Sequence, residues 1–155
     1  MSDDDAQLLE HGLAFAVAIT AALPAWVERC VAQRCDEAGV PEDDQLRAAA
    51  RRAGAECATE VGRTVTELLT TDPDGQESTP LTLLRKAVAY PTGVLAAAGV
   101  PPVERDDFSR RSFPEDPYDL SPATVADVDP SLHDLAMTWG AARAWVHRRR
   151  HGGGV

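Results

Sequence analysis

Apolar residues recur in steps of three and four along most of the chain, which is the period of an α-helix. The alternation of apolar and polar residues that marks a β-strand is not sustained over any useful length. The clearest helical stripes run through residues 8–30, 46–68 and 132–146. The pattern therefore predicts an all-α fold, a bundle of four to five helices.

Prolines and their neighbours divide these stripes into predicted helices. Pro24 lies within the first stripe, and because proline lacks an N–H donor we expect the first helix to break there into two segments. Pro41, followed by acidic residues, predicts the start of the second helix. Pro80, preceded by Thr79 as a cap, predicts the start of a third helix, which we expect Pro91 to interrupt.

The last part of the chain repeats the cap-then-proline signal twice. Ser121-Pro122 predicts a short helical turn, and Asp129-Pro130 predicts the start of a long terminal helix. Small residues on the terminal helix are expected to let another helix approach closely; they are Gly140, Ala141 and Ala144.

A stretch without any period, about residues 100–120, separates these helices. A compact domain seldom carries so long a stretch unless it is functional or disordered, and its aromatic residues argue against disorder. We predict an irregular arm packed across the bundle, so that replacing Phe108 and Phe113 with serine lowers stability. The alternative is an arm that binds a partner, because aromatic residues and arginine are enriched at interface hot spots. The candidate residues are Phe108, Arg110, Arg111, Phe113 and Tyr118.

The length of 155 residues suits one helical domain over residues 1–155, with 1–4 and 151–155 expected to be frayed termini. An uncharged apolar stretch at residues 12–27 is shorter than the roughly 20 residues that span a membrane. Acidic rather than basic residues precede it, unlike in a signal sequence. We interpret this stretch as a buried core helix and expect no membrane association.

The net charge of −10 falls on residues 1–79, while residues 80–155 carry equal numbers of acidic and basic groups. Such a charge repels phosphate backbones, so nucleic-acid binding is disfavoured. A candidate basic patch lies near the end of the chain, formed by Arg143, Arg148, Arg149 and Arg150.

An odd number of cysteines, 3, and the lack of a secretory signal predict free thiols in a cytoplasmic protein. Cys30 and Cys35 would lie on one helix at a separation too great for a disulfide. Cys30 and Cys57 fall on apolar stripes, where cysteine behaves as a small hydrophobic residue. A cysteine nucleophile would need a nearby base, and His11 and His133 are the candidates.

Two pairs of possible metal ligands have the i, i+4 spacing that places both side chains on one helix face. His147 and His151 form one pair, for which no third ligand is identifiable. Glu56 and Glu60 form the other, but the Glu-x-x-His motif of di-iron bundles is absent from the sequence. We predict no metal site and no cofactor.

No nucleotide-binding, hydrolase or zinc-finger motif occurs in the sequence, so enzymatic activity is not indicated, although it stays open. The favoured hypothesis is a non-enzymatic interaction or regulatory module whose partner is another protein or a second copy in a homodimer. The alternative is a small-molecule-binding protein or enzyme with a pocket between helices, lined by Trp26, Trp139 and Trp145.

Overall fold

The computed structural model of the chain describes residues 3–70 and 79–150, which form helices joined by turns and loops. The α-helices are, in chain order, α1 (Asp3–Ala38), α2 (Asp44–Thr70), α3 (Pro80–Lys86), α4 (Ala89–Ala97), α5 (Asp107–Ser112) and α6 (Leu132–Arg150), with a 3₁₀ turn at Val125–Asp127. No strand occurs in the described residues. The predicted all-α bundle is confirmed. Of the termini predicted to be frayed, Asp3 and Asp4 belong to α1, and the other residues lie outside the described part.

The long helix α1 packs along its length against α2 in an antiparallel pair. Gly12, near the start of α1, lies beside Leu69 at the end of α2. Farther along α1, Pro24 lies beside Gly54, which is nearer the start of α2. These two helices supply much of the core, and α4 packs against both.

The contact between α1 and α6 forms the centre of the core. Phe15 and Trp139 are fully buried, and their ring centroids lie 5.9 Å apart. The indole N–H of Trp139 donates a hydrogen bond to the backbone carbonyl of Val65 in α2 at 3.2 Å, which ties the three long helices together. The stripe predicted for α6 included Leu135, which is only half-buried, and is otherwise confirmed; the buried apolar residues of α6 are Leu132, Ala136, Trp139, Ala142 and Val146.

Glycines allow the long helices to approach closely, but Gly140, the glycine that the sequence indicated, is not one of them. A methyl group added at Gly12 would lie 2.7 Å from Cβ of Ala142, so these two backbones could not pack this closely around a larger residue. A methyl group at Gly140 would meet nothing within 4 Å. Ala141 and Ala144 are exposed. The predicted close approach at this face of α6 is therefore wrong within the described structure.

Pro24 does not break α1, which is continuous from Asp3 to Ala38, so the predicted division into two segments is wrong. Leu23 and Trp26, on either side of the proline, are buried in the same core. Proline inside a helix costs about 3 kcal/mol. Burial of one face of α1 along its whole length outweighs this local cost.

The second helix begins at Asp44, beyond the start predicted at Pro41. The carboxylate of Asp43 accepts a hydrogen bond from the backbone N–H of Leu46 at 2.8 Å and caps the first turn. The cap decides where the helix begins because it satisfies an N–H group that has no partner within the helix.

The start of α3 agrees with the sequence, and the boundary with α4 is displaced. The hydroxyl of Thr79 accepts a hydrogen bond from the N–H of Thr82 at 3.1 Å, and Pro80 is the first residue of α3. Pro91 lies in the first turn of α4 instead of at the interruption itself. Its missing N–H costs little there, because the first turn of a helix has no partner for that group.

The two helical segments predicted near the end of the chain are present, and both begin later than predicted. The turn expected after Ser121-Pro122 is the 3₁₀ turn at Val125–Asp127. The carboxylate of Asp129 accepts a hydrogen bond from the N–H of Ser131 at 2.9 Å, just before α6 begins. The stretch expected to be irregular also contains a helix, α5, which is too short to show a period in the sequence.

Among the described helices, α1 alone has the length and apolar composition of a membrane span. Its apolar stretch has a mean hydropathy of 1.6 and is 28% buried. The buried face, which includes Phe15 and Ile19, forms the predicted core stripe. Val17, on another face, is 74% exposed, so part of the apolar surface of α1 is uncovered.

Candidate interaction site

The arm, residues 100–120, is fastened by the tyrosine near its end. Tyr118 is buried, and its hydroxyl donates a hydrogen bond to the backbone carbonyl of Val100 at 2.7 Å. Close by, the N–H of Val103 donates a hydrogen bond to the carbonyl of Pro117 at 3.1 Å. These contacts join the two ends of the arm and turn it into a closed loop.

A buried carboxylate organises the backbone at the end of the arm. Asp116 is buried, and its two carboxylate oxygens accept hydrogen bonds from the N–H groups of Leu120 and Ser121, each at 2.8 Å. Asp119, which lies between Asp116 and Leu120, has a positive φ of 54°, a conformation that aspartate tolerates better than most residues. The backbone thus makes a tight turn around the carboxylate.

Two arginines of the bundle hold the arm from outside. Arg34 of α1 donates hydrogen bonds to the carbonyls of Tyr118 and Asp119, at 2.7 and 3.1 Å. Arg85 of α3 lies over the ring of Phe113, with its guanidinium carbon 5.5 Å from the ring centroid. The arm is therefore fixed against the bundle through its Phe113–Asp119 part.

The helix α5 lies between these fixed ends, and none of its residues is buried. Asp106 caps it by accepting a hydrogen bond from the N–H of Ser109 at 2.7 Å. Hydrogen bonds from Ser109 also lower the pKa of Asp106 below its ordinary value. Arg105 donates a hydrogen bond to the carbonyl of Phe113 at 2.6 Å, which spans the helix from one end to the other.

The five candidate residues of the arm fall into two groups. Tyr118 is buried and Phe113 is half-buried, as the packed-arm prediction expects. Phe108 is 71% exposed, so that prediction is wrong for this ring. Arg110 and Arg111 are also exposed, and Arg110 pairs with Asp107 one turn away. The exposed group lies on α5, and the buried group lies in the part held by the bundle.

Sequence reasoning did not identify the residues that anchor the arm, namely Arg34, Arg85, Arg105 and Asp116. Three of them bond to backbone carbonyls, which every residue possesses, so the sequence carries no complementary signal. Asp116 gives a weak one, since aspartate before Pro117 is typical of a turn.

The cysteines are free, as predicted. Burial raises the pKa of Cys57 to about 12 and that of Cys30 to about 11. Because the thiolate is the nucleophile, both residues are weakly reactive at neutral pH. His11 and His133, the candidate bases, lie exposed on the surface.

The described residues contain no group of three or more side chains that could bind a metal ion. Glu56 and Glu60 are both exposed, and Glu60 pairs with Arg63. His147 is half-buried, and its predicted partner, His151, lies outside the described residues.

The three tryptophans proposed to line a pocket are not gathered at one site. Trp139 is enclosed in the core, whereas Trp145 is half-buried beneath Arg149, whose guanidinium carbon is 5.3 Å from the centroid of the Trp145 ring. A cavity of about 480 Å³ instead lies between the start of α3 and α6. Its lining comprises Thr79, Pro80, Thr82, Gly140, Arg143, Ala144, His147 and Arg148.

The arginines of the candidate basic patch near the end of the chain lie in different surroundings, and the side chain of Arg150 is outside the described part of the structure. Arg143 is buried and Arg148 lines the cavity, while Arg149 stacks on Trp145.

Comparison of the chain with protein-family models, with curated proteins and with solved structures finds no significant match.

Proposed function

We propose that this protein is a non-enzymatic interaction module, that the exposed face of α5 is its contact surface, and that its partner is a second copy of the same chain. The observation that carries the proposal is the combination of an unburied helix with firmly fixed ends. Phe108 and Arg111 project from this helix, while Tyr118 and Asp116 hold the arm in place.

A fixed contact helix reduces the cost of association. Ordering a loop on binding consumes free energy that would otherwise appear as affinity, so a segment already held in its bound conformation binds more tightly. The hydrogen bonds of Arg34 and Arg105 restrain the arm before any partner arrives. Exposing Phe108 to water is unfavourable in the free protein, and a partner that covers the ring recovers this free energy.

A second copy offers surfaces that complement α5. Val17 on α1 and Met137 on α6 are 74% and 66% exposed, and either supplies an apolar contact for Phe108. The net charge of −10 falls on residues 1–79, so the surface of α1 and α2 supplies carboxylates for Arg111. A reducing cytoplasm is the proposed location, in keeping with the free cysteines.

Sedimentation equilibrium over a range of protein concentrations tests the proposal. The wild-type protein is expected to self-associate, and Phe108→Ser is expected to weaken the dimer at least tenfold, about 1.4 kcal/mol. Arg111→Glu should also weaken it, because the change places a negative charge against the acidic surface. Lys86→Glu is the matched control, since it makes the same charge change at an exposed position outside the arm.

A wild-type protein that stays monomeric at every concentration would contradict the proposed partner. Equal weakening by Lys86→Glu and Arg111→Glu would contradict the proposed surface, because only the overall charge would then matter.

A further inference from the structure

The cavity between the start of α3 and α6 is independent of the arm and lies on residues that the proposed function does not use. Its volume, about 480 Å³, falls within the range of small-molecule sites. On α6 it is lined by Gly140, Arg143, Ala144 and His147, which recur in steps of three and four and so share one face of the helix. The space at this face of α6 is open, since a methyl group added at Gly140 would meet nothing within 4 Å.

The polar groups among the described lining residues of the cavity are cationic or neutral. Arg143 is 6% exposed, an unusual degree of burial for an arginine, and it belongs to the lining of the cavity. Arg148 and His147 line the same cavity from the next turn of α6. Across from them, Thr82 contributes a hydroxyl from α3. No acidic residue belongs to the described lining.

The remaining lining residues are small and apolar. Pro80 and Ala144 add apolar surface, and together with Gly140 they leave a volume far larger than an inorganic anion needs. Arginine recognises carboxylate and phosphate groups through paired, charge-assisted hydrogen bonds. A ligand that fits both parts therefore has an anionic group for the arginines and an organic body for the apolar walls.

We propose that this cavity binds a small organic anion, with its phosphate or carboxylate group at Arg143 and Arg148 and its organic part against Pro80 and Ala144. The charged residues in the described lining of the cavity are basic, whereas the protein as a whole has a net charge of −10. The acidic surface of α1 and α2 repels an anion, whereas the arginines of α6 attract it to this face.

Titration calorimetry with three probes, inorganic phosphate, phenyl phosphate and benzoate, tests the proposal and separates its parts. Phenyl phosphate or benzoate is expected to bind at least tenfold more tightly than inorganic phosphate, because only these two carry an organic body. The tighter of the two organic probes identifies the preferred anionic group. Binding of inorganic phosphate alone, or of no probe, would overturn the proposal.

Variants then locate the site. Ala144→Phe fills the cavity without changing any charge and should reduce organic-anion binding at least tenfold. Arg148→Gln should weaken binding severalfold, whereas Arg149→Gln, its matched control, should leave binding unchanged because Arg149 lies over Trp145 and outside the cavity lining. All of these positions are exposed, so the variants are expected to fold, which circular dichroism checks.

Equal weakening by Arg148→Gln and Arg149→Gln would overturn the proposal, since binding would then depend on the general charge of α6. Unchanged binding in Ala144→Phe would also overturn it, because the organic part of the ligand would then lie elsewhere.

Discussion

The guanidinium of Arg34 donates a hydrogen bond to the backbone carbonyl of Tyr118 at 2.7 Å, which joins the central helix of the bundle to the arm across 84 residues of sequence. A second N–H of the same group bonds to the carbonyl of Asp119 at 3.1 Å. The contact fixes the end of the arm where the buried side chain of Tyr118 enters the core. The helix α5 is therefore exposed although the arm that carries it is held in place.

Arg34→Gln should loosen the arm while leaving the bundle folded. The amide hydrogens of Leu120 and Ser121, which bond to Asp116, are expected to exchange faster with solvent, as hydrogen-exchange mass spectrometry or NMR can measure. The free energy of unfolding should fall by about 1–3 kcal/mol, because hydrogen bonds from a charged donor are lost. Arg47→Gln is the control, since Arg47 pairs with the exposed Asp44 in the first turn of α2, and it should leave exchange in the arm unchanged.

The aromatic residues of the arm should differ sharply in their contribution to stability. Tyr118→Phe removes the hydrogen bond to Val100 and should lower the free energy of unfolding by about 1–2 kcal/mol. Phe108→Ser should change it by no more than about ±0.5 kcal/mol, because the ring is exposed. Urea denaturation followed by circular dichroism distinguishes the two. A large loss in Phe108→Ser would show that this ring packs on the bundle, as the sequence alone suggested.

Trp139 should be the most sensitive position of the core. It lies against Phe15 and bonds to Val65, so truncation to alanine removes contacts with two helices at once. Trp139→Ala is expected to cost about 3–5 kcal/mol. The half-buried Trp145 provides the control, and Trp145→Ala should cost clearly less in the same urea titration. Similar midpoints for the two variants would contradict the helix packing described for α6.

Stability should decline at alkaline pH, partly through Cys57. Burial raises the pKa of its thiol from 9.0 to about 12, so the folded protein retains a proton that the unfolded chain releases. The contribution of Cys57 is therefore complete below about pH 9 and is lost progressively as the pH rises from 9 toward 12. Between about pH 8 and about pH 10, the urea midpoint should fall less in Cys57→Ala than in the wild type. The same fall in both proteins would show that Cys57 does not contribute.

The long helices could be predicted from the sequence because each of them buries one face in a shared core. This burial requires apolar residues to recur with the helical period. Trp139 and Cys57 fall on apolar stripes that any bundle must bury, and both are fully buried. Pro24 shows where local reasoning fails. The cost of proline is a property of the single residue, whereas the packing that offsets it involves Gly54 on another helix.

The candidate site could be predicted only in part. The absence of a period located the arm, and residue type identified Phe108 and Tyr118 as its notable side chains. Arg34 holds the backbone of Tyr118 through a hydrogen bond to its carbonyl, and such a bond leaves no trace in the identity of the acceptor. The cavity beside α6 was also missed, because residues of two helices far apart in the sequence line it together.

Photo-cross-linking from position 108 shows directly whether α5 contacts a second copy of the chain. Phe108 is replaced by the photoreactive amino acid benzoylphenylalanine, and mass spectrometry identifies the linked peptides after irradiation. We expect covalent dimers linked to the α1 or α6 surface near Val17 or Met137, and few dimers from the same replacement at the half-buried Phe113. Irradiated protein that stays monomeric at concentrations where sedimentation shows a dimer would contradict the claim.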